Sequence, residues 1–457
     1  MTSNKTRLIV AFVLFVLSSF SYAQNTRDGV DLFALQNADK NAITIEQAIE
    51  IALENNSSIQ IAQKTAQIYD QQVKQYWSYV YPQITLSGSY TRTLHPQEAI
   101  TSMGKFRMSL DNATSGTAEA ALLLWKGGAV SAGIRMGKYH SQSGYLELAE
   151  TQNLIKDNVN TLCFGIILSH ALIQVQQENL DIAKDHLNEI EQKYKQGLAS
   201  DLDVLNQKVK VSNTEPSLIQ AKNAYEIGLL TLRRVLNKDP QDPLSLTWDL
   251  KDILSYTIPS LEELYTIAQN NRPELIISQL NTQMAKEQVN IAKADHYGSL
   301  TAFANATYTG SSNNVIIPMS SYNSSYGTAV GLRLNIPLFE GFRVSSQVRQ
   351  KELAYEQALI QAQDTQRNIK IEVKRAWLNL KEARERIVAT SGTIGQARKN
   401  LHSTNLRYRN GLASRLDLDD AALLLHDAEL QFVQAVHDAY VAASNLNYAV
   451  GKDIAIK

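Results

Sequence analysis

The side chains that could perform chemistry are few and scattered along this chain of 457 residues. It has eight histidines, among them His402, His426 and His437, and they form no HExxH motif or Cys/His cluster of the kind that binds zinc. No nucleophile elbow, phosphate-binding loop or paired-carboxylate motif stands out. The sequence therefore predicts no enzyme, no cofactor and no metal site. Its single cysteine, Cys163, is expected to be a buried structural thiol.

The most regular polar pattern is a serine followed three residues later by an aspartate, just after a glycine. It occurs within "KYKQGLASDLD" at Gly197, Ser200 and Asp203, and within "RYRNGLASRLD" at Gly411, Ser414 and Asp417. The glycine can take the left-handed conformation that ends a helix, and the Ser-x-x-Asp unit can cap the next one. Each stretch therefore predicts the tip of a hairpin between two antiparallel helices.

These two tips belong to a larger duplication. Tyr194 and Tyr408 are 408 − 194 = 214 residues apart, and Trp125 and Phe339 are 339 − 125 = 214 apart. Two further pairs recur in the same order: "ITIEQAIEIALENNSSI" with "PSLEELYTIAQNNRPEL", and "YPQITLSGSYT" with "YGSLTAFANATYT". A nearly constant offset predicts two copies of one structural unit, at 24–236 and 260–457. The proline-containing segment 237–259 is the expected linker.

The chain begins like an exported protein. Residues 1–23 hold Lys5 and Arg7, the apolar run "LIVAFVLFVLSSF" and then Ser21-Tyr22-Ala23, which is typical of a secretory signal peptide. A membrane anchor, the alternative, needs about 20 apolar residues. No later segment is expected to cross a bilayer as a helix, so membrane insertion must be by strands.

After removal of the signal, 42 basic and 45 acidic residues leave a net charge of 42 − 45 = −3. This balance provides no positive electrostatic field to attract nucleic acid, so the sequence predicts no nucleic-acid partner.

Each copy contains two segments with one apolar and one polar face. The apolar positions are Ile84, Leu86 and Tyr90; Ala118, Ala120, Leu122 and Leu124; Leu300, Ala302, Ala304, Ala306 and Tyr308; and Val330, Leu332, Leu334 and Ile336. Strands with lipid on one side and water on the other show this alternation over about 10 residues. A half-buried strand of a soluble sheet shows it too, so the pattern alone leaves both readings open. The links between paired strands are long and polar, as extracellular loops are.

Helical sequence surrounds the strands. Each copy opens with a helical stretch, Thr44–Tyr79 and Ser260–His296, and a second, proline-free stretch runs from Gly341 to Tyr408 with heptad spacing from Leu359. The helix after the second tip follows the heptad spacing more strictly. Its two seams are Leu418, Leu425, Phe432, Ala439 and Leu446, and Ala421, Ala428, Ala435, Ala442 and Ala449. Large residues facing alanines predict closely packed coiled coils, and 68 residues of helix would reach about 100 Å.

Four membrane strands cannot close by themselves, because the smallest membrane barrels have about eight and an open edge in lipid leaves backbone groups unpaired. The chain is therefore expected to share a barrel with copies of itself, three copies giving 12 strands.

These features together resemble the TolC-like outer membrane efflux proteins. The resemblance covers nearly the whole mature chain and depends on the duplication, on the strand-to-helix stretch Val330–Gly341, and on the Tyr-x-x-Gly-x-x-x-x-x-Asp tips at Tyr194–Asp203 and Tyr408–Asp417. It implies a mostly α fold with membrane β: a trimeric 12-strand β-barrel, four strands per chain, continuing into a long α-helical coiled-coil barrel. It also implies a passive exit duct of the bacterial outer membrane, with its helices in the periplasm, a periplasmic adaptor and an inner-membrane pump as partners, and contact with outer-membrane lipid.

The resemblance also assigns residues. Asp417 and Asp420 match aspartates that ring the periplasmic entrance in this family, whereas the first copy has Asp203 and Asn206 at those places. For Asp417 a helix-capping role and a gate role are both expected. The residues that resemble adaptor-docking tips are Gly197, Leu198, Ala199, Ser200, Gly411, Leu412, Ala413 and Ser414. The alternative function is an exported coiled-coil scaffold whose strands form a soluble sheet.

Overall fold

The structure is a computed structural model of the chain. It describes residue 33 and residues 42–95, 97–102, 104–107, 109–250, 252–255, 257–313 and 323–454. The predicted signal peptide, residues 1–23, and the predicted mature start at Gln24 lie outside the described residues.

The elements follow the same order in both halves of the chain. The first half contains α1 (Ile45–Asn55), α2 (Ser57–Ser78), β1 (Gln83–Arg92), β2 (Glu98–Thr101), β3 (Gly104–Arg107), β4 (Asn112–Trp125), α3 (Ala129–Lys195) and α4 (Asp201–Val235). The second half contains α5 (Leu261–Asn271), α6 (Pro273–Ala294), β5 (Ser299–Ser312), β6 (Asn323–Asn335), α7 (Arg343–Arg409) and α8 (Arg415–Val450). Apart from β2 and β3, each element has a counterpart, which is the arrangement that the duplicated sequence predicts.

The two copies also begin their helices in the same way. Capping boxes stand at corresponding places in front of α1 and α5 and in front of α4 and α8. Their N-cap residues are Thr44, Ser260, Ser200 and Ser414. In each, the N-cap oxygen accepts a backbone N–H three residues on, and the side chain there accepts the N-cap N–H.

The first helical stretch of each copy is two helices rather than one. In the first copy the break is at Asn56, whose side-chain oxygen accepts the N–H of Ser58 at 2.9 Å and so caps α2. In the second copy the break is at Arg272, which has an extended backbone. Arg272 precedes Pro273, and a residue before proline is disfavoured in the helical conformation. The expectation of continuous helices over Thr44–Tyr79 and Ser260–His296 is corrected accordingly.

The four long strands form one antiparallel sheet in the order β1-β4-β5-β6. Their register places Leu86 opposite Ala118, Ala118 opposite Ala306, and Ala304 opposite Val330, so the apolar positions of all four strands share a face. Within the described chain this face has no cover: Leu86 is 84 % exposed and Val330 83 %. A soluble sheet would bury such a face.

One predicted loop contains structure of its own. Between β1 and β4 the chain forms a short antiparallel hairpin, with Glu98 opposite Arg107 and Thr101 opposite Gly104. Gly104 supplies the positive φ of its turn, 122°. Most of the other predicted loop, residues 314–322, lies outside the described residues.

The heptad seams of α8 are buried as predicted. All ten positions are core residues, and Ala435, Ala439 and Leu446 have no exposed surface. The seam of α7 is buried only in part. Val373 and Leu380 are in the core, whereas Leu359 is 39 % exposed, although the same part of α7 pairs with α6 through Glu352 and Lys293 at 3.2 Å.

The helix α3 corrects one expectation. It includes an 18-residue window that is apolar enough, by length and composition, to cross a membrane, and 39 % of that window is buried. The same helix buries Val159, Cys163 and Ile166 against its neighbours. Core packing therefore accounts for part of its apolar character, and Cys163 is the buried thiol that the sequence predicts.

The chain divides into two compact units that cut across the repeats. The first comprises the described residues up to Ala62, with Leu148–Pro273 and the residues from Gln366 onward; the second comprises Gln63–Glu147 and Glu274–Thr365. Each unit takes segments from both copies. The boundaries 24–236, 237–259 and 260–457 thus describe the repeats along the sequence and stay a prediction.

Candidate functional site: the helical hairpin tips

Both hairpin tips have the geometry that their sequences predict. Gly197 and Gly411 have φ values of 74° and 73°, which a residue with a Cβ rarely adopts. In each tip the N–H of the following leucine returns to the last turn of the preceding helix, Leu198 to the Lys193 carbonyl and Leu412 to the Arg407 carbonyl, both at 2.8 Å. These bonds satisfy carbonyls that the helix ends would otherwise leave unpaired.

The predicted docking residues form two exposed apolar points. Leu198 is 74 % exposed and Leu412 68 %, while Ala199 and Ala413 beside them are half-buried. Ser200 and Ser414 are committed to capping. Within the described residues nothing covers either leucine, so each tip presents a small apolar surface on a rigid turn.

Asp417 is a capping residue on the surface. Its Oδ2 accepts the N–H of Ser414 at 2.7 Å and the Ser414 hydroxyl at 2.8 Å. The Ser414 hydroxyl, followed by the Ser414 backbone N–H, lowers the pKa of Asp417 below its usual value, so this carboxylate keeps its charge in mildly acidic solution. Asp203 caps α4 with the same bonds to Ser200, and its pKa is likewise lowered.

Asp420 lies one turn beyond Asp417 on the same side of α8, because residues three apart share a helix face. Both side chains are exposed. The structure thus brings the two predicted gate carboxylates together, and it leaves Asp420 outside the capping turn.

Beneath the tips lies a polar cluster that the sequence analysis missed. Arg415 on α8 donates from Nη2 to Gln207 Oε1 on α4 at 2.8 Å and lies 3.3 Å from His186 Nδ1 on α3. Asp419 accepts from Lys210 of α4 at 2.9 Å and pairs with Arg415 at 3.2 Å. Gln207 is itself buried and donates to the Ala183 carbonyl at 2.8 Å. The cluster ties α8, from the second copy, to α3 and α4, from the first.

Attraction between opposite charges stabilises this cluster, in which Arg415 and Lys210 share Asp419. Burial acts to raise the pKa of Asp419, but the hydrogen bond from Lys210 and the charge of Arg415 outweigh it and lower the pKa. Burial, and then the Arg415 charge, lower the pKa of His186, so its imidazole is neutral. A neutral imidazole can accept the Arg415 hydrogen bond without repulsion.

The sequence does contain a sign of this cluster, which appears when the two copies are aligned. At the offset of 214, Arg415 corresponds to Asp201 and Asp419 corresponds to Leu205. A charge that changes sign between the copies, or occurs in one copy only, cannot be required by the shared architecture. Positions at which the two copies differ in charge therefore mark where the two hairpins differ in role. A position-by-position comparison of the copies would have found Arg415 and Asp419.

A second contact joins the ends of α3 and α7. Lys193 Nζ donates to Tyr408 Oη at 3.3 Å and lies 4.6 Å from the centre of that ring, while Glu189 pairs with the same ammonium at 2.8 Å. Lysine over a tyrosine face gains a cation–π attraction. The hairpin of the first copy is thus bonded to that of the second at their tips.

No group of three or more His, Cys, Asp or Glu side chains among the described residues is placed to hold a metal ion.

Comparison with known proteins gives one family. The model of the outer membrane efflux protein family matches residues 48–238 and again residues 264–452, once in each predicted copy. Among curated relatives, the chain is 23 % identical over 309 residues to outer membrane protein TolC of Salmonella enteritidis, covering 66 % of this chain and 62 % of that protein. It is 24 % identical over 421 residues to outer membrane efflux protein BepC of Brucella suis, covering 90 % and 85 %. The match thus spans about three-fifths of the length of the TolC relative.

Solved structures share the fold. The Campylobacter jejuni CmeC outer membrane channel superposes with a TM-score of 0.76 at 16 % identity, covering 93 % of this chain and 91 % of that one. The likeness confirms the predicted fold class, in which a membrane sheet continues into long paired helices.

Proposed function

Because the chain belongs to the outer membrane efflux protein family, we propose that it forms the outer-membrane exit duct of an efflux or type I secretion system. The protein is placed in the bacterial outer membrane, with its helices in the periplasm. It conducts substrates passively, and an inner-membrane pump with a periplasmic adaptor delivers them. The family is one of efflux proteins rather than of enzymes.

The observation that carries this proposal is the bare apolar face of the sheet. Leu86, Val330 and Leu332 are each more than two-thirds exposed, at 84 %, 83 % and 68 %. The opposite face is lined by hydroxyls that bond across strands, as in Ser89 with Ser115 at 2.8 Å and Thr309 with Ser325 at 2.7 Å. Lipid on one face and a water-filled lumen on the other satisfy both surfaces.

The sheet also implies the assembly. Its outer strands, β1 and β6, each pair on one side only. In lipid those unpaired backbone groups must find partners, and cyclic symmetry supplies them by joining β1 of one copy to β6 of the next. Three copies give the 12-strand barrel of the proposed homotrimer.

At the other end, the hairpin tips are the proposed entrance and docking site. Leu198 and Leu412 offer exposed apolar contacts for the adaptor, and Asp417 with Asp420 offers exposed carboxylates that line the entrance. In a trimer these two residues form a ring of six negative charges. The Arg415 cluster and the Lys193–Tyr408 contact hold the hairpins of one chain in place around it.

Two neighbouring residues of β1 provide a matched test. Leu86 belongs to the apolar face and Ser87 to the polar face. A lysine in the lipid-facing position costs about 2 to 4 kcal/mol at the bilayer midplane, whereas a lumen position tolerates charge. We expect Leu86→Lys to abolish outer-membrane trimers and Ser87→Lys to keep them while changing the ion selectivity of the channel in planar bilayers. If both variants fractionate like the parent, the sheet does not face lipid, and the exported scaffold becomes the better function.

A further inference from the structure

A cavity of about 400 Å³ lies in the second unit between α2, α3 and α6. Its lining includes two thioethers and an imidazole, from Met136, His140 and Met284. Its other polar residues are Gln72, Asn281 and Gln288, which carry amides, and Tyr76. Neither the hairpin tips nor the sheet uses any of these residues.

The imidazole of His140 is held in one orientation. Its Nδ1 lies 2.9 Å from Gln72 Oε1, and its ring stacks on Tyr69 with the centroids 3.8 Å apart. An amide oxygen only accepts hydrogen bonds, so Nδ1 carries the proton and donates it. In the neutral imidazole the lone pair is then on Nε2. Histidines that bind metals are oriented in this way, by donating their other ring N–H to an oxygen.

Both methionines line the same cavity as that imidazole. Met136 precedes His140 by four residues on α3, so both side chains lie on one face of this helix. Met284 reaches the same cavity from α6. The chain has six methionines, and two of them line this one cavity beside a histidine.

The wall that carries Met136 is closely packed. Tyr76 of α2 lies against Gly137 of α3 so tightly that a Cβ there would stand 2.8 Å from the ring. The neighbouring Glu287 is already bound by Arg135 through two bonds of 2.8 and 2.7 Å and by Asn290 at 2.9 Å. The residues that line the cavity themselves include no Asp or Glu.

The donor set decides which cation fits. Hard cations such as Mg²⁺ and Ca²⁺ need oxygen ligands that include carboxylates, which this cavity lacks. Thioethers and imidazole select soft ions, and Cu(I) first among the biological ones. We propose that this cavity binds one soft monovalent cation, Cu(I) or its analogue Ag(I), through the two Sδ atoms and His140 Nε2. No change in oxidation state accompanies binding.

Silver titration of the detergent-solubilised full chain tests the proposal. Ag⁺ is the probe, followed by isothermal titration calorimetry. The variant Met136→Leu/Met284→Leu removes both sulfurs with little change of volume. We expect the parent to bind one more Ag⁺ per chain than this variant, and His140→Gln to weaken that site at least tenfold. Met319→Leu, a methionine elsewhere in the sequence, is the matched control and should bind like the parent.

Cys163 is present in every variant, so any silver that it takes cancels in the comparison. Equal silver uptake by the parent and the double variant overturns the proposal. If the double variant loses its helical circular dichroism, the single changes Met136→Leu and Met284→Leu replace it, each expected to weaken binding at least tenfold. Parental affinity in both single variants overturns the proposal as well.

Discussion

Arg415 of α8 donates a 2.8 Å hydrogen bond from Nη2 to Oε1 of Gln207 on α4, so a residue of the second copy is bonded to one of the first. Gln207 is only 4 % exposed and is held in turn by the Ala183 carbonyl. Buried polar groups of this kind are costly to leave unpaired. The contact therefore fixes how the two hairpins of a chain meet, one turn from the proposed entrance.

Replacing Arg415 tests this joint. We expect Arg415→Leu to lower the free energy of unfolding by about 2 kcal/mol, because bonds to charged groups are lost and Gln207 keeps an unpaired oxygen. The measurement is urea unfolding followed by circular dichroism. Arg409→Leu removes an exposed arginine near the same tip and should change stability by less than about 0.5 kcal/mol. Equal effects of the two changes would show that the joint contributes nothing specific.

Packing between α2 and α3 gives a second prediction. A Cβ at Gly144 would stand 2.5 Å from Tyr69 Cδ2 and 3.2 Å from the Ala66 Cα. Gly144→Ala should therefore push the Tyr69 ring off His140 and cost about 1 to 3 kcal/mol, as overpacking does.

Gly165, also within α3, has nothing within 4 Å of its Cβ position. Gly165→Ala should be neutral or stabilising by up to about 1 kcal/mol, because alanine favours the helix. Thermal unfolding of both variants distinguishes packing from helix propensity. A stabilised Gly144→Ala would contradict the close contact.

The fold was largely predictable because its repeats are local patterns. Alternation along β1, β4, β5 and β6, heptads along α8 and the capping residues of both tips depend on near neighbours in sequence, and all are confirmed. What depends on distant pairing was not predictable. The helix break at Asn56 involves its side-chain bond to the Val235 carbonyl, 179 residues away, and the Arg415 cluster joins residues more than 200 apart. The heptad pattern also predicted burial of Leu359, which is 39 % exposed within the single chain.

Glu429 predicts a pH dependence. It is 3 % exposed, pairs with Arg398 at 3.2 Å, and burial, followed by the nearby Glu178 charge, raises its pKa. Between the ordinary and the raised value the folded chain binds a proton that the unfolded chain does not, so stability falls as pH rises through that window. Glu429→Gln cannot titrate there. Its stability relative to the parent should increase over the pH range that begins at the ordinary glutamate pKa of about 4.3 and extends upward. A constant difference in urea midpoints across that range would refute the shift.

The last prediction concerns the carboxylates of the proposed entrance. If Asp417 and Asp420 face the threefold axis, six of them meet at one constriction, where a restricted, low-dielectric space strengthens their attraction for cations. Such a ring is expected to be blocked by multivalent cations. Asp420→Ala should remove part of the block without loss of stability, because alanine favours the helix and Asp420 makes no capping bond.

Asp417→Ala should also loosen the tip by about 1 kcal/mol, since it removes a cap interaction. Asp203→Ala removes the same cap from α4 and is the matched control for that structural effect. The measurement is single-channel conductance in planar bilayers, with a trivalent cation added from the periplasmic side. The parent and Asp203→Ala should be blocked alike, and Asp417→Ala/Asp420→Ala should be blocked least. Equal block in all three proteins would mean that these two carboxylates lie away from the conduction path.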